Sequence, residues 1–115
     1  MITNRVQLNG NLGANPEIRT FESGDKIAKL SVATNEQYTN RQGETLTDTQ
    51  WHTVVVKSKR LIEKIENLEK GRHLMIEGRL ATRYYEKEGE KKYITEIIAY
   101  DLYVYPPKST NQQHQ

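Results

Sequence analysis

Apolar and polar residues alternate along most of this chain, a pattern typical of β-strands that are buried on one face. In the first such segment the apolar residues Val6, Leu8 and Leu12 fall at even positions. The pattern predicts five strands, at residues 5–12, 28–33, 51–57, 72–85 and 93–105. A short extended piece at 18–21 and a charged hairpin tip at 86–91, with a glycine as its turn residue, complete the predicted β-structure.

One segment has helical spacing instead. Its apolar residues recur every three or four positions, at Leu61, Ile62, Ile65 and Leu68. Ser58 is a suitable N-cap before them, and Gly71 is a good C-terminal stop after them. The helix therefore falls between the third and fourth predicted strands. This order is that of the OB-fold, so we predict an all-β, five-stranded Greek-key barrel with one α-helix.

A long polar stretch covers residues 35–49 and lacks either periodicity. Segments of this length are usually functional loops or extended hairpins. The sequence leaves both interpretations open. We expect this segment to fold over a bound ligand as a mobile flap.

The 115 residues are enough for one domain with one core. We assign 1–106 to the domain and 107–115, after Pro106, to a short polar tail expected to be disordered. The chain has no cysteine, which excludes disulfide scaffolds and thiolate chemistry. Neither a membrane-spanning apolar run nor the apolar region of a signal peptide is present, so we expect a soluble cytoplasmic protein.

Catalysis is not expected from this sequence. The three histidines, at 52, 73 and 114, do not have metal-ligand spacing, and no nucleophile or phosphate-binding motif occurs. The acidic residues of 86–91 alternate with lysines, as on a solvated hairpin tip. We therefore predict a protein that is not an enzyme and that uses no metal or cofactor.

The aromatic and basic residues are more informative. Trp51 and Lys57 share one face of the third strand, and His52 lies on the other. The run at 54–56 does not reveal which face is buried, so Trp51 is either a core residue or an exposed stacking surface. An exposed tryptophan beside cations is what single-stranded nucleic acid binding requires, because bases stack on aromatic faces while cations contact phosphates.

Five blocks of sequence are familiar in combination. They are GNLGANPEIR (10–19), SVATNE (31–36), TQWHTVVV (49–56), LEKGRHLMIEGRLATRYY (68–85) and KKYITEIIAYD (91–101). In this order and spacing they resemble the bacterial single-stranded DNA-binding protein (SSB) family over nearly the whole chain. The resemblance implies an OB-fold that associates into dimers and usually tetramers. It also implies sequence-independent binding and protection of single-stranded DNA in replication, recombination and repair, in the bacterial nucleoid.

Site residues follow from the resemblance position by position. The stacking aromatics of the family correspond to Trp51, Tyr38 and Tyr85, with tyrosine at two positions where many members have tryptophan. The matching cations are Arg83, Lys59 and Lys70. His52 matches a histidine near the family's subunit interface. Strand phase, and not the resemblance, adds Arg79 and Arg5 to the expected DNA contacts.

Two departures from the family pattern alter the expectation. Lys57 occupies a position where the family often has an aromatic, which replaces a stacking contact with a phosphate contact and predicts a steeper salt dependence. No acidic residue follows Asp101, whereas the family's tail ends in an acidic tip that recruits replication and repair proteins. If this sequence is the full natural chain, recruitment of such partners through a tail is lost. If it is a shortened form, the tail has been removed, and the polar end of the sequence leaves both alternatives open.

The leading functional prediction is a non-catalytic protein that coats single-stranded DNA. A first alternative is a tailless paralogue of the primosomal protein B type, which would bridge DNA and a protein partner as a dimer. Others are an OB-fold that binds oligosaccharide or protein, and an OB-fold subunit of an enzyme.

Overall fold

The computed structural model describes residues 3–107. Its elements are β1 (Val6–Leu12), β2 (Glu17–Thr20), β3 (Lys26–Thr39), β4 (Thr45–Val56), α1 (Lys59–Ile65), β5 (His73–Lys87) and β6 (Glu90–Val104). The predicted tail lies, apart from Pro107, outside the described residues, as does His114. The described residues contain no helix long and apolar enough to cross a membrane.

The five long strands form a closed barrel. The sheet order is β1-β5-β6-β4-β3-β2, and a further pairing of β1 with β3 joins its two sides. The short β2 lies outside the closed ring, paired with β3 alone. One helix lies between β4 and β5, so the predicted OB-fold is confirmed.

The barrel interior and one face of α1 form a single apolar core. Leu30 and Val32 of β3 and Val54 and Val56 of β4 are almost fully buried. The helix adds Leu61, Ile62 and Ile65 to the same cluster. These residues are the ones that the alternation placed on a single face of each strand or helix, because burial of that face stabilises the fold.

The helix is shorter than its sequence pattern predicted. It ends at Ile65 because the following backbone N–H groups bond elsewhere. Leu68 donates to the Ile65 carbonyl at 3.1 Å, and Gly71, with φ 95°, donates to the Leu12 carbonyl at 2.8 Å. Lys70 donates to the Asn15 side chain at 2.8 Å. The segment after Ile65 thus closes onto the end of β1, and Leu68 packs on the core from a turn.

Both hairpins extend beyond the barrel as two-stranded arms. β4 pairs with β6 only at Val54–Val56, so residues 35–49 pair only within their own hairpin. This segment is therefore an extended hairpin, which resolves the two interpretations left open by the sequence. The second arm, at 81–96, turns at Glu88 and Gly89, both with positive φ, as predicted for the charged tip.

Candidate nucleic-acid interface

Trp51 points away from the core. Val54 and Val56 are fully buried inside the barrel, whereas the Trp51 side chain on the opposite face of β4 is 62% exposed. The interpretation of Trp51 as a core residue is therefore wrong. The alternation of strand faces places Val55 and Lys57 on the same outer face as Trp51.

The Trp51 ring is positioned by a glycine. Gly13 follows β1, and its N–H donates to the Ser31 carbonyl at 2.8 Å. A Cβ atom at Gly13 would overlap the six-membered ring of Trp51, lying 2.8 Å from Cη2. The ring thus lies directly on the Gly13 backbone, and one side of the indole is supported while most of its surface stays open.

A groove of about 810 Å³ crosses the outer face of the barrel beside this strand. We call it the cationic groove. Five basic side chains line it: Arg19, Lys29, Lys57, Arg79 and Arg83. The only two carboxylates in its lining are Glu17 and Glu96. Apolar side chains, including Val55 and Ile98, lie between the charges, so the surface offers both positive charge and flat apolar contact.

One of these cations is held by a buried carboxylate. Arg83 donates two hydrogen bonds to Glu96, Nε to Oε1 at 3.0 Å and Nη2 to Oε2 at 3.3 Å. Glu96 is 5% exposed, while the Arg83 side chain is 59% exposed. The hydrogen bond and the charge of Glu96 raise the pKa of Arg83 above its ordinary value. Arg83 is therefore always charged and fixed in direction, but its charge is partly neutralised.

The structure brings together some of the predicted site residues. Lys57, Arg79 and Arg83 all line the cationic groove. Tyr85 is 44% exposed and lies on the same face of β5 as Arg79 and Arg83.

Tyr38 lies apart from Trp51. It is 51% exposed on the first arm, opposite Leu46. The pairing of β3 with β4 continues without a shift from Ala33↔Trp51 to Tyr38↔Leu46. Ala33 and Tyr38 are an odd number of positions apart on β3, so their side chains lie on opposite faces of the sheet. Trp51 shares the face of its partner Ala33, and Tyr38 therefore projects from the face opposite Trp51.

Three predicted cations lie outside the cationic groove. The Arg5 side chain pairs with Glu77, and the hydrogen bond to that carboxylate raises the pKa of Arg5. Lys59 lines a second groove, beside α1. Lys70 is in the turn that closes onto Asn15.

His52 lies on the inner face of β4, opposite Trp51, as predicted. Its Nε2 is 2.9 Å from Oγ1 of Thr34, and the ring is partly buried. In the part of the chain that the structure describes, no three His, Asp or Glu side chains group closely enough to hold a metal ion.

Sequence reasoning missed Arg19, Lys29 and Phe21 as groove residues. The phase of β3 could have revealed Lys29, because it lies between the core residues Ala28 and Leu30. Arg19 and Phe21 gave no such signal, since β2 is only four residues long and largely exposed.

A closed barrel with a positively charged outer groove and an exposed aromatic beside it defines an oligonucleotide-binding OB-fold protein. The sequence model of the Single-strand binding protein family matches residues 3–105, and the chain belongs to that family. It is 39% identical over 113 residues to Single-stranded DNA-binding protein 1 of Staphylococcus aureus (strain Mu50 / ATCC 700699), covering 97% of this chain and 71% of that relative. The Single-stranded DNA-binding protein of Staphylococcus aureus strain N315 matches equally well.

Solved structures agree with this assignment. The Plasmodium falciparum SSB in complex with ssDNA superposes with a TM-score of 0.83 at 34% identity, covering 92% of this chain and 97% of that one. A deletion mutant of the single-stranded DNA binding protein from Thermus aquaticus superposes with a TM-score of 0.79 at 31% identity, covering 90% of this chain and 51% of that one.

Proposed function

We propose that this protein binds single-stranded DNA without sequence preference. The observation that carries the proposal is the exposed Trp51 ring on the outer face of β4. The same face presents Lys57 to the cationic groove. Each base stacked on an aromatic ring contributes about 1–3 kcal/mol, and any base has a π-face to offer. Stacking beside a cationic groove therefore favours single strands over duplexes, whose bases are already stacked.

Phosphates contact the cations of the groove. Of the five basic side chains, only Arg83 forms one of the ion pairs found among the described residues. The four others therefore contribute most to the attraction: Arg19, Lys29, Lys57 and Arg79. Arg83 contributes a fixed but partly neutralised charge because of Glu96. Lys57 supplies a phosphate contact where an aromatic would supply a stacking contact, which makes binding more sensitive to salt.

The remaining predicted contacts require single-stranded DNA that continues beyond the cationic groove. Tyr85 extends the line of Arg79 and Arg83 along the second arm. Tyr38 projects from the other face of the first arm, so the DNA must pass around that arm to stack on it. Lys59, Lys70 and Arg5 are outside the groove and provide secondary phosphate contacts along this longer path.

Self-association into a homotetramer is part of the proposal. His52 is the candidate interface residue, with Thr34 orienting its ring. Tyr100 and Tyr103 on β6 are 48% and 52% exposed and offer aromatic surface to such an interface. Sedimentation equilibrium should give four times the chain mass, and a stable dimer would contradict the tetramer.

In the cell we place this protein on single-stranded DNA exposed during replication, recombination and repair in the bacterial nucleoid. It acts there by binding and protecting DNA and not as an enzyme. Replication and repair proteins are the protein partners that we propose. The comparisons give no support to the alternative of an assembly factor that bridges DNA and a helicase loader.

The experiment compares charge variants in salt titrations with a labelled oligo-dT. Arg79→Gln should weaken binding and flatten the slope of log K against log salt by about 0.7, the value for one lost phosphate contact on a single strand. Lys64→Gln is the matched control, because Lys64 is exposed on α1 and lines neither groove. Equal slopes for Arg79→Gln and Lys64→Gln would contradict the proposed role of the groove, and tight binding of duplex would contradict the proposed ligand.

A further inference from the structure

We propose that Phe21 is an additional base-stacking residue, at the opposite end of the cationic groove from Trp51. This inference rests on the proposed function, since its ligand is the same single strand. Neither the strand pattern nor the resemblance to the SSB family pointed to this residue.

Phe21 is an exposed aromatic held in a fixed turn. It directly follows β2, and its side chain is 38% exposed. Its N–H donates to the Asp25 carbonyl at 2.8 Å, and its own carbonyl accepts from Gly24 at 2.9 Å. The ring belongs neither to the core cluster nor to the residues packed against that cluster. The turn therefore presents an aromatic ring that the fold does not need for its core.

A cation already lies against the ring. The Arg19 guanidinium carbon is 5.3 Å from the Phe21 ring centroid, within the range of a cation–π contact. Arg19 also lines the cationic groove, as Phe21 does. A base stacked on Phe21 would therefore carry its phosphate close to a positive charge, the combination that single-strand binding uses.

Phe21 marks the boundary between two grooves of different charge. The second groove, of about 560 Å³ beside α1, shares Phe21, Ile27 and Lys57 with the cationic groove. Its charged lining balances, with three lysines facing three carboxylates: Lys26, Lys57, Lys59, Asp25, Glu63 and Glu66. The positive potential thus ends near Phe21, which suits the ring to the last base that the groove holds.

Residue spacing along β4 indicates how far apart the rings of Trp51 and Phe21 lie. Trp51 and Lys57 are six residues apart on one strand face, or about 20 Å at the usual rise of a β-strand. Trp51 lies toward one end of this face, just outside the lining of the cationic groove. At the other end, Phe21 lines the groove together with Lys57. A strand stacked on both rings would span the whole groove, which is consistent with OB-fold site sizes of roughly 4 to 16 nucleotides.

The test moves the only tryptophan of the chain to the proposed position. In the double variant Trp51→Phe with Phe21→Trp, oligo-dT should quench the single tryptophan, because a base stacks on it. Short oligomers should quench it less completely than long ones. Wild-type protein, titrated in parallel, reports on Trp51 and hence on the proposed function itself.

The outcomes separate the two proposals. Quenching in wild type but not in the double variant would overturn the inference and leave the proposed function intact. Absence of quenching and of binding in both would overturn both. In the wild-type background, Phe21→Leu should raise Kd about five-fold or more, whereas Phe21→Tyr should bind almost normally. Equal affinities of Phe21→Leu and wild type would also overturn the inference, because leucine keeps apolar surface but has no π-face.

Discussion

Neutralising Glu96 should strengthen single-strand binding and make it more sensitive to salt. Its carboxylate is buried and accepts two hydrogen bonds from Arg83, so most of its charge acts on that one guanidinium. Glu96→Gln keeps the shape and one acceptor oxygen while removing the negative charge. Arg83 would then be free to act as a full phosphate contact.

The size of the effect follows from counterion release. One additional phosphate contact on a single strand steepens the slope of log K against log salt by about 0.7. Between about 50 mM and about 200 mM salt the variant should therefore lose about 2.6-fold more affinity than wild type. At the low-salt end it should bind more tightly than wild type.

The assay is a set of oligo-dT titrations at four or more salt concentrations. Glu88→Gln is the matched control, since it removes the same charge from the exposed turn of the second arm and Glu88 lines neither groove. Urea denaturation of each variant checks that Glu96→Gln is folded, because the amide can keep only one of the two hydrogen bonds. A folded Glu96→Gln protein with the wild-type slope would refute the role assigned to Arg83.

Three further predictions test the placement of single residues. Trp51→Ala should weaken oligo-dT binding by about 1–3 kcal/mol while leaving urea denaturation nearly unchanged, and a large loss of stability would mean that the ring is structural. Gly13→Ala should displace the Trp51 ring and weaken binding with a shifted emission spectrum, whereas unchanged emission would contradict the contact. Ile65→Ala, a fully buried site, should lower the free energy of unfolding by about 2–5 kcal/mol in urea, and a value near zero would contradict the core assignment.

The alternation of residues predicted the barrel strands because each has one buried face. The first of the two hairpin arms beyond the barrel does not show this alternation. Residues 35–49 form ordered β-structure, yet nearly all of them are exposed, so hydrogen bonding across the hairpin and not burial holds the strands there. The end of the helix also depends on distant partners, since Leu12 and Asn15 take the N–H groups of Gly71 and Lys70. Such contacts are not visible in a local pattern.

In the candidate site, too, the local pattern predicted some features, whereas others depend on contacts with distant residues. Strand phase correctly grouped Arg79, Arg83 and Tyr85 on one face. It could not orient Trp51, because Val55 on the outer face is also buried, at 8% exposure, and makes both faces of the strand equally apolar. It also gave no indication that Glu96 pairs with Arg83, which depends on the register of β5 against β6.

A fluorescence titration of Trp51 with long oligo-dT, at low and high salt and with duplex DNA as control, tests the central claim most directly. We predict strong quenching by the single strand, weakened by salt, and little response to duplex, because an exposed ring beside a cationic groove stacks only on unpaired bases. Absence of quenching and of binding, or an equal response to duplex, would contradict the account.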